Sequence, residues 1–184
     1  MEHQIIGAIG KSGVTENTIN LSISKKLEAL LKQNGAKVIL TRSDENGIYD
    51  SDKKTIKQKY LSDKKNRIEI INNSNADIFV SIHLNIIPQE KYSGWQTFFR
   101  TNDEKSEKLA KAIQEGLNKS INLENNRKSL AIKDIYIVEK TTIPVSIVEC
   151  GFLSNEKEEK LLQEEEYQDK LAWGIYLGIN EYFF

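Results

Sequence analysis

Marking apolar and polar positions along the chain isolates two runs of one kind. Ala76–Asn85, Ala-Asp-Ile-Phe-Val-Ser-Ile-His-Leu-Asn, is almost continuously apolar, β-branched and aromatic before it ends in polar side chains. Such a run suits a strand covered on both faces, as in the middle of an α/β sheet. Pro144–Glu149 repeats the pattern, closes on Glu149 and is followed by Cys-Gly-Phe-Leu-Ser-Asn. Gly94–Arg100 alternates instead, with Trp95, Thr97 and Phe99 set against Gln96 and Phe98, and predicts another strand. Ala36–Arg42, centred on Val38, Ile39 and Leu40, and the short run Ile135–Val138 read as further β segments.

Helical periods fill most of the remainder. From Thr15 the stripe Ile19, Ile23, Leu27, Leu30 and Leu31 predicts a helix, capped by Thr15 or Ser12, with Glu16 in its first turn and Gly35 as its stop. Lys64–Asn73, Glu104–Lys119, Glu156–Gln163 and a last segment from Tyr167 to near Tyr182 are the other helices. Met1–Gly13, Ile86–Ser93 and Asn122–Ser129 read as loops. Residues 43–63, a polar and charged stretch with no apolar period over most of its length, read as a solvated loop, with a weak helix entering the next one as the alternative. Strands and helices alternate throughout, which predicts an α/β fold with one sheet layer between helices, in a single domain spanning residues 1–184.

Composition narrows the field without choosing a function. The chain has 184 residues, enough to bury a core without covalent staples. Its 26 basic and 27 acidic residues leave a formal charge of −1, so no whole-protein field draws it to nucleic acid or an anionic membrane. Cys150 is the single cysteine and excludes an intramolecular disulfide. No apolar stretch has the length of a membrane span, and no basic-then-apolar export signal opens the sequence.

Candidate chemistry concentrates at the strand ends. Histidine occurs only at His3 and His83. A lone histidine closing a strand is more often a hydrogen-bonded structural residue than a ligand. Ser81, His83 and Asn85, however, project to one side of a regular strand, and polar groups gathered there need partners or a purpose. Glu149 closes an apolar strand, where desolvation lifts a carboxyl toward the range of a general base; the alternative is a glutamate turned to solvent. Cys150 reads as a packed thiol, because nothing in the sequence supplies an activating partner. Zinc hydrolases hold the ion with three ligands drawn from histidine and acidic residues, and an unligated carboxylate moves the proton. His3, Glu16, His83 and Glu149 supply such a set, although spacing alone leaves this open because no compact ligand motif anchors it.

Several boxes in order carry a family resemblance: Gly7-Ala8 and Gly10, Glu16-Asn-Thr-Ile-Asn-Leu21, Val38-Ile-Leu-Thr-Arg42, Asn66-Arg67, Ala76–Asn85, Ser93-Gly94 and Val148-Glu-Cys-Gly-Phe-Leu-Ser-Asn155. With these the chain resembles the zinc-dependent N-acetylmuramoyl-L-alanine amidases of the amidase-3 family. The likeness runs over nearly the whole chain and is nearest to the germination-specific subgroup acting on spore cortex peptidoglycan. The resemblance implies a mixed, mostly parallel sheet of about six strands flanked by helices. It also implies one zinc ion and cleavage of the amide between the lactyl group of N-acetylmuramic acid and L-alanine. Glu16 and His83 match the family's metal ligands, and Glu149 matches its catalytic glutamate. The family opens with an apolar strand running into Asp-Pro-Gly-His-Gly-Gly, whose histidine is the first zinc ligand. That strand and its Asp-Pro-Gly are absent here, and His3 is the only candidate, slightly nearer Glu16 than the family spacing. The resemblance further implies an extracytoplasmic site of action and, as in some members, a lipoprotein partner that assists zinc uptake. A zinc-deficient relative that binds wall or partner without catalysis is the alternative.

Overall fold

A computed structural model describes residues 7–184 of the protein. Helix α1, Glu16–Gln33, buries Ile19, Ile23 and Leu27. It stops where Gly35 takes φ +83°, with Gly35 N–H donating to the Lys32 carbonyl and Ala36 N–H to that of Leu31. Helix α2, Ile56–Asn73, begins well before the expected Lys64 because Thr55 and Gln58 form a reciprocal capping box. The loop expected over residues 43–63 therefore ends at Thr55.

Four strands and four more helices follow: β1 Phe79–Asn85, β2 Gln96–Arg100, α3 Glu104–Ser120, β3 Leu130–Ile132, α4 Tyr136–Lys140, β4 Val145–Phe152, α5 Glu156–Leu162 and α6 Glu165–Phe183. The sheet order is β1-β4-β2-β3, with β4 parallel to β1, antiparallel to β2, and β3 parallel to β2. The class is α/β with a mixed sheet, as expected, but the described residues form four strands rather than about six. Residues 36–40 are not in a strand, and Ile39 is 45 % exposed. A strand exists through its partner's hydrogen bonds, and no described strand lies beside this apolar run. Ile135–Val138 also departs from expectation, since most of it lies in α4, where Val138 is buried. A four-residue apolar run is too short for its period to distinguish strand from helix.

Alternation along the strands sorts two cores. Leu84, Trp95, Val148 and Cys150 face α1, α3 and α6 and pack with Ile23, Ile113, Leu117, Leu171 and Ile175. Val145 and Ile147 turn to the other face, with Phe79, Phe98, Ile132 and Val138 of α4. Helices thus cover both faces of the sheet. The larger core is drawn tight where α3 meets α6: a Cβ on Gly116 would lie 2.2 Å from the Gly174 carbonyl oxygen and 2.7 Å from Gly178 N. Only hydrogen fits there, so the two helix backbones touch.

Candidate active site

The two apolar strands that dominate the sequence are neighbours. β1 and β4 run parallel, Phe79 opposite Val145 through His83 opposite Glu149. Register partners in a sheet point to the same face, so His83 and Glu149 stand side by side on the face of Phe79, Val145 and Ile147. Beyond this pair the register slips, and Asn85 sits opposite Phe152. The extra residue in β4 is a bulge, a device common where strands end beside a site.

Helix α1 brings the third group. Glu16 Oε1 lies 2.9 Å from His83 Nδ1, while Oε2 accepts the Ala8 backbone N–H at 2.9 Å. Asn20, one helical turn on, donates to Oε1 at 3.2 Å, and Leu84 N–H reaches it at 3.3 Å. The other ring nitrogen, His83 Nε2, is 2.9 Å from Ser81 Oγ. Both sides of the imidazole are therefore held, yet the side chain stays 43 % exposed, open to an incoming ligand.

Electrostatics separates the two carboxyls. Burial works to raise the Glu16 carboxyl, but the His83 hydrogen bond and charge, with the Ala8 and Leu84 amides, bring it down to about 2. Glu149 has no such support. Burial, helped by the charge on Glu16 and opposed by His83, lifts it to about 7. Its Oε2 is buried without a hydrogen-bond partner. For His83, desolvation favours the neutral ring, but Glu16 and Glu149 outweigh it and raise the imidazole above its ordinary value. A permanently ionised carboxylate, a neighbouring imidazole and a second carboxylate poised near neutrality make a proton-handling cluster.

The donors present fit zinc as part of a ligand set. Two bonds of about 2.0–2.2 Å to one tetrahedral ion put their donor atoms about 3.3–3.6 Å apart, and one imidazole nitrogen with one carboxylate oxygen is ordinary zinc chemistry. Glu16 and His83 stand 2.9 Å apart in a hydrogen bond, about 0.4–0.7 Å inside that spacing, so the pair would part slightly to take the ion. Among the described residues no group of three or more His, Cys, Asp or Glu is arranged to hold a metal ion. His3, the expected third ligand, lies outside the described residues.

Cys150 takes no part. Its side chain turns to the opposite, fully buried face, where desolvation pushes the thiol far above its usual range. Sequence reading missed the supports around the cluster. Glu158, 6 % exposed, accepts Gly94 N–H at 2.6 Å and Phe152 N–H at 2.8 Å, tying the approach to β2 to the end of β4. Gln96 of β2 is the register partner of Glu149 on the other side, so this clamp sits across the strand that carries it. Glu159, 3 % exposed, accepts the backbone N–H and the hydroxyl of Ser12 at 2.9 and 2.8 Å. Arg127 lies 4.6 Å from the Phe152 ring and donates to the Ser93 carbonyl and Gln96 Oε1. Acidic residues in a first helical turn and an arginine in a polar loop are commonplace, so no local signal marked them.

The family described as N-acetylmuramoyl-L-alanine amidase (amidase-3) matches residues 4–181. The chain belongs to that family. The germination-specific N-acetylmuramoyl-L-alanine amidase of Bacillus subtilis (strain 168) is 39 % identical over 178 residues, 96 % of this chain and 74 % of that relative. Among solved structures, the CwlD amidase of Clostridioides difficile, in complex with the GerS lipoprotein, superposes with TM-score 0.94. It shares 48 % identity and covers 99 % of this chain and 94 % of its own. The catalytic domain of CwlV, an N-acetylmuramoyl-L-alanine amidase from Bacillus (Paenibacillus) polymyxa var. colistinus, gives TM-score 0.81 at 31 % identity, covering 96 % and 90 %. No helix among the described residues of this amidase is long and apolar enough to cross a membrane.

Proposed function

We propose that the chain is a zinc-dependent hydrolase of spore cortex peptidoglycan, cleaving the amide between the lactyl group of N-acetylmuramic acid and L-alanine. The observation that carries the proposal is the side-by-side placement of His83 and Glu149, with Glu16 on the imidazole. Glu16 and His83 would hold the metal, with His3 as the third ligand by family resemblance. Zinc bound there supplies Lewis acidity to the scissile carbonyl and to the attacking water. Glu149 takes the proton of that water and delivers it to the nitrogen of the departing L-alanine. A value of about 7 suits both halves of that transfer near neutral pH. Ser81 and Glu16 fix the plane of the His83 ring, and Asn20 with the Ala8 amide fixes the Glu16 carboxylate.

Residues 1–184 act in this reading as one catalytic domain, outside the cytoplasm, where the polymer is found. The likeness to CwlD in its complex with GerS supports a lipoprotein partner for this chain as well. The test is release of new amino-terminal L-alanine from cortex muropeptides by zinc-loaded protein. Wild type releases it, and Glu149→Gln binds zinc but does not. Activity that survives Glu149→Gln refutes the role of that carboxyl. Zinc-saturated wild type that sediments with cortex yet frees no alanine would instead favour the non-catalytic wall-binding reading.

A further inference from the structure

The amino-terminal half of α2 is strongly basic, although the whole chain is balanced. From Lys53 to Lys65 the sequence holds six lysines and a single acid, Asp63. That acid is buried and spent on internal bonds: it accepts Ile48 N–H at 2.8 Å and the Arg67 Nε–H at 2.6 Å. Ser62 beside it accepts Asp50 N–H at 3.0 Å and donates to Asp50 Oδ2. These bonds fix one side of the helix inward and leave the opposite side to solvent. Positions 57, 60, 61, 64 and 65, spaced as neighbours on one helical face, form that outer side. They read Lys, Tyr, Leu, Lys, Lys. Tyr60 is 45 % and Leu61 55 % exposed, and Ile56 at the margin is 59 % exposed. Lys64 Nζ sits 4.1 Å from the centre of the Tyr60 ring, and Lys65 reaches only Glu69, at 3.6 Å.

We infer that this face docks on a bilayer rich in anionic phospholipid headgroups. Lysines bracketing exposed apolar side chains are what such an interface selects: the ammonium groups meet headgroup phosphates, and tyrosine and leucine enter the headgroup–acyl boundary. A wall polyphosphate would engage the lysines and leave Tyr60, Leu61 and Ile56 without a role. The apolar members of the face therefore decide for the bilayer. This surface is separate from the His83–Glu149 cluster and does not depend on the reaction assigned to it.

Flotation of the full chain with phosphatidylglycerol-containing vesicles tests the inference, with pure phosphatidylcholine vesicles and soluble polyphosphate as the other probes. Binding to the anionic vesicles alone is expected, weakening steeply as salt is raised. Each lysine is worth roughly fivefold, so K57Q/K64Q/K65Q weakens partition on the order of 100-fold. Y60S/L61S weakens it about tenfold without changing charge. A control with three exposed lysines elsewhere, K25Q/K32Q/K119Q, should partition as wild type does, and circular dichroism should show α2 intact in every variant. Equal loss in the control, indifference to Y60S/L61S, preference for polyphosphate, or no flotation at all would each overturn the inference.

Discussion

Replacing Glu149 by glutamine removes a charge that the fold buries beside another carboxylate. The carboxyl is lifted from 4.5 to about 7, chiefly by burial, and its Oε2 has no hydrogen-bond partner. One pKa unit corresponds to about 1.4 kcal/mol, so ionising Glu149 in the folded state costs about 3 kcal/mol relative to the unfolded chain. The sign follows from linkage. A folded value above the unfolded one means that the associated stability is complete below 4.5 and is lost as pH rises through about 7. His83 gives up its own proton as pH rises and loses part of its attraction to Glu149, which adds to that cost, so the difference is at least about 2–3 kcal/mol. Urea unfolding of metal-free protein in chelator, at about pH 4.5 and about pH 8.5, measures it. Wild type should lose about 2–3 kcal/mol more than Glu149→Gln across that interval and be the less stable of the two at the alkaline end. Curves that run parallel within about 0.5 kcal/mol would show that Glu149 ionises freely, and the argument for a poised base would fail.

Three further outcomes follow from packing and hydrogen bonding. Gly116→Ala sets a methyl group against the Gly174 carbonyl, and forcing α3 from α6 should cost about 2–3 kcal/mol, a fall in Tm of about 5–10 °C by calorimetry. Glu158→Gln keeps one acceptor oxygen and points an amide donor at a backbone N–H. A loss of about 1–3 kcal/mol in chemical denaturation is expected, and an unchanged midpoint would mean that Gly94 and Phe152 are held by other contacts. Cys150 should resist a thiol-specific disulfide reagent in the native state and react fully once unfolded; rapid native labelling would contradict its burial and raised thiol pKa.

Legibility in the sequence followed the range over which each interaction acts. The α1 stripe, the Gly35 stop and the alternation of Trp95, Thr97 and Phe99 are local patterns, and the structure repeats them nearly residue for residue. β4 was legible because a strand buried on both faces must be apolar throughout, and this also marked its polar end as exceptional; β1 carries the same kind of run, but it stands at the edge of the described sheet and most of it is only half-buried. Ala36–Arg42 has the same composition but no described neighbour, and composition cannot report a neighbour. The start of α2 was hidden for another reason: its first two turns face solvent and are held by a capping box instead of an apolar stripe. At the site, Glu16, His83 and Glu149 were each ambiguous alone. Register brings the last two together and a helix end supplies the first. Glu158 and Glu159 act on Gly94 and Ser12, far away in sequence, and nothing adjacent to them announces it; Asn20 serves Glu16 one turn away, but a buried asparagine inside a helix carries no signal of its own.

Glu158 and Glu159 are consecutive residues on a seven-residue helix, and each anchors a different segment beside the cluster. The turn bearing Ser12, the entry to β2 and the exit of β4 consequently ride on one short support. Their spacing cannot drift piecemeal as separate flexible arms would. Whatever approaches the strand ends therefore meets borders held at set positions relative to one another.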